Sequence, residues 1–180
     1  SKSYSPVMPT PFQIRPLKVQ DAPALAHLAG LTFKETFWHN NDPVSMQQYL
    51  EENLTPERLQ TELQTLGSHF FFVEDQNQPV GYLKINQGAA QTESQWPDAL
   101  EIERIYLLAN HQNRGIGKRL LDHALQIGKE TGCTNAWLGV WEHNPGAIRF
   151  YERNGFRIFS KHVFQLGDEA QTDLLMHRPF

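Results

Sequence analysis

Gln112, Arg114, Gly115 and Gly117 stand in QNRGIGKRLL, Gln112 to Leu121, between the strand-like run EIERIYL and the start of an amphipathic helical pattern. Two residues without a Cβ let the main chain turn tightly and bring its N–H groups up to anionic oxygens. A helix that begins at the same spot adds unpaired N–H groups and the positive end of its dipole. The chemistry offered is the holding of a pyrophosphate. Two other phosphate loops are excluded by spacing: a dinucleotide fingerprint needs a third glycine where Leu120 stands, and a Walker A loop needs Ser or Thr where Arg119 stands. An ordinary strand-to-helix turn is the competing reading, although paired glycines are a costly way to start a helix. Just upstream, Glu101 and Glu103 lie two apart on the strand, so both side chains point to one face, and a central strand favours neither. Pairing with Arg104 or Lys84 at the sheet surface would also account for them.

The elements that must position these residues follow in order. Phe12 to Leu17 is predicted as a first strand. Asp21 as N-cap and Pro23 in the first turn open a helix with the core stripe Leu25, Leu28, Ala29, Thr32, Phe33, Phe37. Asp42 with Pro43, and Thr55 with Pro56, open two shorter helices, the second stopped by Gly67. His69 to Glu74 and Val80 to Asn86 read as a hairpin across Asp75 to Pro79. A polar loop, Gly88 to Pro97, leads to the strand Leu100 to Leu108, the glycine turn and the helix Ile116 to Thr131. Ala136 to Trp141 is a short apolar run suited to a strand buried on both faces. Asn144 caps a helix starting at Pro145 and ending before Gly155, and Phe156 to Gln165 with Thr172 to His177 close an antiparallel pair. The expectation is one α/β domain over residues 1–180 with a mixed sheet, and residues 1–11 a flexible N-terminal segment.

Composition narrows the function. A chain of 180 residues with 39% apolar and 11% aromatic content can bury a real core, and no run approaches the ~18 apolar residues of a membrane helix. A net charge of −4 without a cluster of Lys or Arg argues against nucleic acid and anionic membranes and permits a cationic partner. The single cysteine, Cys133, cannot form an internal disulfide, and SKSYSPVMPTPF does not read as a signal peptide, so the expected location is the cytoplasm. None of the eight histidines has the spacing of a metal site, and no metal is expected. Monomer and homodimer are both open.

The Q-x-x-G-x-G pattern at Gln112 to Gly117, followed at the right distance by NPGAIRFYERNGF, resembles the GCN5-related N-acetyltransferase (GNAT) superfamily. SHFFFVED, VGYLKIN, LEIERIY, WLGVWEHN and LGDEAQTDLLM are similar more narrowly to the Pai-type spermidine/spermine N-acetyltransferases of Gram-positive bacteria, nearly end to end. The resemblance implies a GNAT fold: a mixed, mostly antiparallel sheet of six to seven strands flanked by helices, with acetyl-CoA in a split between the fourth and fifth strands. It implies that main-chain groups of Ile105, Tyr106 and Leu107 pair with the pantetheine arm. The N–H groups of Asn113, Arg114, Gly115, Ile116, Gly117 and Lys118, with Gln112, would hold the pyrophosphate. Gly139 fits a cofactor lying between separated strands, or a bulge. Asn144 would touch the cofactor by its amide, although its helix cap alone would explain it.

Transfer from the thioester to an amine then raises two proton problems. An alkylammonium of pKa ~10.4 is neutral at pH 7 only about once in 2,500, a deficit of roughly 4.6 kcal/mol. Glu103 stands where polyamine acetyltransferases resemble one another in carrying a carboxylate, and is expected as base or acceptor anchor; Glu101, at the position of the base in histone-acetylating relatives, is second. Tyr151 matches the tyrosine that points at the sulfur and is expected to protonate the leaving thiolate; burial in the core beside Phe150 is the plainer account of it. Trp96 in the polar loop and Glu142 are expected to line the acceptor site. The resemblance thus implies an enzyme that acetylates a primary amine of a polyamine by direct transfer in a ternary complex. Another amine, such as a peptide N-terminus, an amino acid or an antibiotic, is the nearest alternative. A non-catalytic acetyl-CoA-binding regulator is the alternative of a different class.

Overall fold

Short caps and tight turns, rather than long uninterrupted segments, set the order of elements. The computed structural model describes residues 12–93 and 95–180; the N-terminal segment 1–11 lies outside the described residues. The strands are β1 (Phe12–Pro16), β2 (Ser68–Asp75), β3 (Gln78–Gln87), β4 (Ala99–Leu107), β5 (Asn135–Trp141), β6 (Arg157–Leu166) and β7 (Glu169–Pro179). The helices are α1 (Ala22–Phe37), α2 (Pro43–Asn53), α3 (Pro56–Leu63), α4 (Ile116–Glu130) and α5 (Pro145–Arg153). Asp42, Thr55 and Asn144 each accept a hydrogen bond from the backbone N–H three residues on, so the cap-plus-proline signature is read correctly at α2, α3 and α5. Asp21 departs from the expectation. Its carboxylate faces back, accepting from Lys18 N at 2.8 Å and pairing with Arg15, and so closes the short turn before α1 instead of capping α1 itself.

The strands form one sheet in the order β1-β2-β3-β4-β5-β7-β6, with every neighbouring pair antiparallel except β4 and β5. Gln76 and Asn77, both at positive φ, make the two-residue turn of the β2–β3 hairpin, a backbone hand that suits the twist of the flanking strands. One face of the sheet buries Leu83, Ile85, Leu100, Ile102 and Leu138 under Ile116, Leu120, Leu121 and Ala124 of α4 and Tyr151 of α5. The opposite face buries Phe70, Phe72, Tyr82 and Trp141 under the α1 stripe, Met46 of α2 and Leu59 of α3. Burial of this apolar surface on both sides is the main stabilising term, at ~25 cal/mol per Å².

Two irregularities in β4 matter for the site. The parallel ladder runs from Ala99–Asn135 to Ile102–Leu138 and then stops, while β4 continues to Leu107 and β5 to Trp141. Beyond Ile102 each strand keeps only its outer neighbour, β3 for one and β7 for the other. The sheet is therefore split between its fourth and fifth strands from Gly139 onward, on the side where the glycine turn lies. In addition, Lys84 pairs with Arg104 and Ile85 with Ile102, so Glu103 is an extra residue in a β-bulge.

Candidate active site

The glycine turn is held open by its own conformation. Asn113 and Gly115 are at φ 63° and 78°, and Gly115 is the residue before the first turn of α4. A Cβ at Gly115 would meet nothing within 4 Å, so glycine is required there by the left-handed backbone and not by crowding. Among the described residues, the N–H groups of Asn113 through Lys118 have no hydrogen-bond partner, and intrahelical bonding resumes with Arg119 N to Gly115 O. Six successive free donors at the positive end of a helix form a concave anion cradle. Side chains from the same run are less free. The Arg114 guanidinium lies over the Phe12 ring and 3.3 Å from Asp75, Lys118 pairs with Asp122, and Gln112 Nε2 reaches back to Leu107 O. The main chain of this turn, more than its side chains, is what remains available to a ligand.

The split opens beside that cradle. Ile105, Tyr106 and Leu107 keep their β3 partners and leave their β5-facing edge unpaired. Gly139, the first β5 residue past the parting, is exposed. Tyr151 on α5 is buried among Phe150 and Phe156, and burial raises its phenol well above the ordinary range. Among the described residues its hydroxyl has no hydrogen-bond partner. A phenol kept protonated and unpartnered has its O–H free to donate. Asn144 uses its Oδ1 to cap α5, through Ala147 N at 3.2 Å.

The two strand carboxylates share a face, as their spacing requires, and both accept from the same amide: Asn86 Nδ2 lies 3.0 Å from Glu101 and 2.8 Å from Glu103. Their surroundings then diverge. Glu101, 3% exposed, also accepts from Thr92 N at 2.7 Å and Thr92 Oγ1 at 2.5 Å, pinning the loop that leads into β4. Burial lifts its carboxyl above the usual range, with these bonds pulling it part-way back. Glu103 pairs with Lys84 Nζ at 2.8 Å and Arg104 Nη2 at 3.1 Å, while Glu62 of α3 binds the same two cations at 2.6 and 3.0 Å. Burial pushes Glu103 up, but Arg104 and Lys84 outweigh it and hold the carboxyl below the usual range.

At the far end of β5 a cleft of about 720 Å³ is lined by Asn40, Trp141, Glu142, His143, Pro145 and Gln171. Glu142 thus reaches the cleft, and its carboxylate lies 3.5 Å from His143. Trp96 does not join it. Its indole stacks on His177 and packs against Phe159 over the paired end of β4 and β5, with Trp137 and Leu175.

Comparison with known proteins decides the family. Residues 31–156 match the model of the acetyltransferase (GNAT) family. The chain belongs to the GNAT acetyltransferase family. An uncharacterized N-acetyltransferase of Lactobacillus delbrueckii subsp. lactis is 41% identical over 94% of this chain and 98% of its own length. A spermidine N(1)-acetyltransferase of Thermoplasma acidophilum is 25% identical over 82% of the chain and 89% of its own. In fold, the chain is similar to the PaiA N-acetyltransferase of Thermoplasma acidophilum, solved in complex with coenzyme A, at TM-score 0.78 and 23% identity, covering 94% of this chain and 99% of that one.

This GNAT enzyme is an acetyl-CoA-dependent N-acetyltransferase, and its residues fit that co-substrate on grounds internal to the structure. Six free N–H groups offer donors that suit a diphosphate, and the unpaired edge of β4 offers donors and acceptors that suit an arm of amide groups. Acetyl-CoA supplies the acetyl group as a thioester. Among the described residues no group of three His, Cys, Asp or Glu is placed to hold a metal ion. Sequence reasoning missed Asn86, Thr92 and Glu62, which fix the two glutamates. Only the strand register could have revealed Asn86, opposite Glu101, and nothing local marks Glu62 on α3.

Proposed function

We propose that the enzyme acetylates a primary amine of a small polycation of the spermidine class, by direct transfer within a ternary complex. The observation that carries the transfer chemistry is a diphosphate cradle beside an unpaired strand edge, with a phenol on α5 that burial keeps protonated. Ile105 to Leu107 would pair with the pantetheine arm, and Asn113 to Lys118, with Gln112, would hold the diphosphate. Asn144 would steady the cofactor while capping α5.

Tyr151 gives its proton to the departing sulfur. Glu103, fixed and ionised within its ion-pair network, acts as an electrostatic anchor on the acceptor side. Glu101 holds the β4 approach and orients Asn86. Glu142, at the cleft, meets a second ammonium group of an extended acceptor. The likeness to the Thermoplasma spermidine N(1)-acetyltransferase supports the choice of substrate class.

Thiol release measured with spermidine, an aminoglycoside and an N-terminal peptide tests it. Turnover on spermidine is expected to exceed the other two; no turnover on spermidine with good turnover on either of the others overturns the substrate class while leaving the reaction intact.

A further inference from the structure

Resting on the transferase reading above, we propose that Asp173 of β7 is the catalytic base, the carboxylate that takes the proton from the acceptor ammonium. Both glutamates of β4 have their oxygens engaged: Glu101 by Thr92 and Asn86, Glu103 by Lys84, Arg104 and Asn86. A carboxylate must have a free lone pair to accept a proton from substrate. Asp173 has one. Among the described residues, its carboxylate makes no hydrogen bond and no ion pair.

Its position is set by the sheet. Asp173 stands opposite Trp141 of β5 and His162 of β6. A Cβ built on Gly139 would lie 3.1 Å from Asp173 Oδ2, so the carboxylate sits over the bare main chain of the first β5 residue past the split. The absent side chain at Gly139 is what exposes Asp173 to that opening. Tyr106 of β4 and Tyr49 of α2 both feel its charge, and the Tyr49 phenol also feels Arg104, Glu103 and Glu62. Asp173 and the Glu103 network therefore both lie within electrostatic reach of Tyr49.

The groups around it explain why it is poised. His162, facing it from β6, is held by Glu93 at 2.9 Å; β5 opposes it with Gly139 and Trp141, which carry no charge; β4 and α2 contribute phenols. Burial lifts the Asp173 carboxyl to about 6, opposed only by His162. A base near neutrality accepts a proton more effectively than a strong acid's conjugate would.

The proton account closes. The ammonium N–H bond breaks, its proton goes to Asp173 and on to solvent, and the freed lone pair attacks the thioester carbonyl carbon. The C–S bond breaks with its electron pair on sulfur, Tyr151 protonates the sulfur, and the second proton lost by nitrogen restores Tyr151. One proton is released per amide formed.

The test uses Asp173→Asn and Asp173→Ala in the full chain. Coenzyme A affinity by calorimetry is expected to be unchanged, while kcat/KM for the best alkylamine acceptor falls about 10²-fold or more. The wild-type limb that rises through pH 6 is lost. Formate restores part of the activity of Asp173→Ala, and an arylamine, already neutral at pH 7, loses little. Wild-type kinetics in Asp173→Asn, or equal losses on alkylamine and arylamine without formate rescue, overturn the assignment. Absence of coenzyme A binding in the wild type overturns the transferase reading itself, and turnover only on a peptide amine overturns the substrate class but leaves Asp173 testable on that peptide.

Discussion

Glu103 and Arg104 are chain neighbours on β4, yet their side chains meet on the same side of the sheet, 3.1 Å apart. A regular strand would send them to opposite faces. The bulge at Glu103 removes that alternation, so one strand delivers an anion and a cation to one place, where Lys84 and Glu62 complete a buried four-residue network. Two positive and two negative charges hold one another in place there.

Removing one member of this network strands its partners. Glu103→Gln leaves Lys84, 6% exposed, and Arg104 short of a counter-charge, and is expected to destabilise the fold by about 3 kcal/mol. The sign with pH follows from the depressed carboxyl. The network's contribution is present above the unfolded pKa of Glu, ~4.3, and is lost as pH falls through the lower folded value. Urea unfolding of wild type and variant should differ widely at pH 7 and converge at acidic pH.

Tyr151→Phe tests the acid directly. The variant keeps the ring that packs on Phe150 and Phe156 and loses only the hydroxyl. Its coenzyme A affinity is expected to match wild type, with kcat lower by about 10²- to 10⁴-fold. Full retention of kcat would remove Tyr151 from the chemistry.

Gly115→Ala probes the cradle without crowding it, because the added Cβ meets only open space. The left-handed backbone at φ 78° should cost an alanine about 1 kcal/mol, a drop of roughly 2–4 °C in Tm for a chain of this size. Relaxation of the turn out of that conformation would misdirect the N–H groups, so coenzyme A affinity should fall with it. Calorimetry and a thermal melt separate the two effects.

Asp173→Asn should make the protein more stable while disabling it. Burial raises the folded pKa to about 6, well above the ordinary aspartate range, so the charged form is the one the fold disfavours. Relative to an uncharged amide, the acid costs nothing at pH 3, below the unfolded pKa. Stability is then lost as pH rises from the unfolded pKa to the folded value of about 6, and the cost levels off above it at about 2–3 kcal/mol. Melts of the two proteins should coincide near pH 3, separate with the variant higher as pH rises from about 4 to 6, and keep a constant gap above that.

Much of this was legible in the chain because it is local. Two glycines between a strand and a helix announce a phosphate turn, and an acid or threonine before a proline announces a helix start, since each signal acts within a few residues. The α1 stripe was readable for the same reason. Asp21 misled because a short acid preceding a helix has two backbone donors to choose between, and here Lys18 N won.

The environments of Glu101 and Glu103 could not be read because they depend on strand register and on a helix far upstream. A one-residue bulge changes which side chains meet, and no periodicity reports it in advance. Trp96 looked free in a polar loop, but its indole finds His177 and Phe159, residues from the end of the chain. Asp173 carried no motif at all. Its significance arises only when β7 is laid against Gly139.

A sheet whose middle rungs are missing has two halves that are tied together by few main-chain bonds and otherwise by the helices across them. A molecule lying in that gap, offering amide groups to the bare margin of β4, would act as a borrowed strand. Occupancy would then be felt mechanically throughout the protein: amide exchange in β4 and β5 should slow and the melting point rise with the supply of coenzyme, so that resistance to unfolding tracks the acetyl donor available to it.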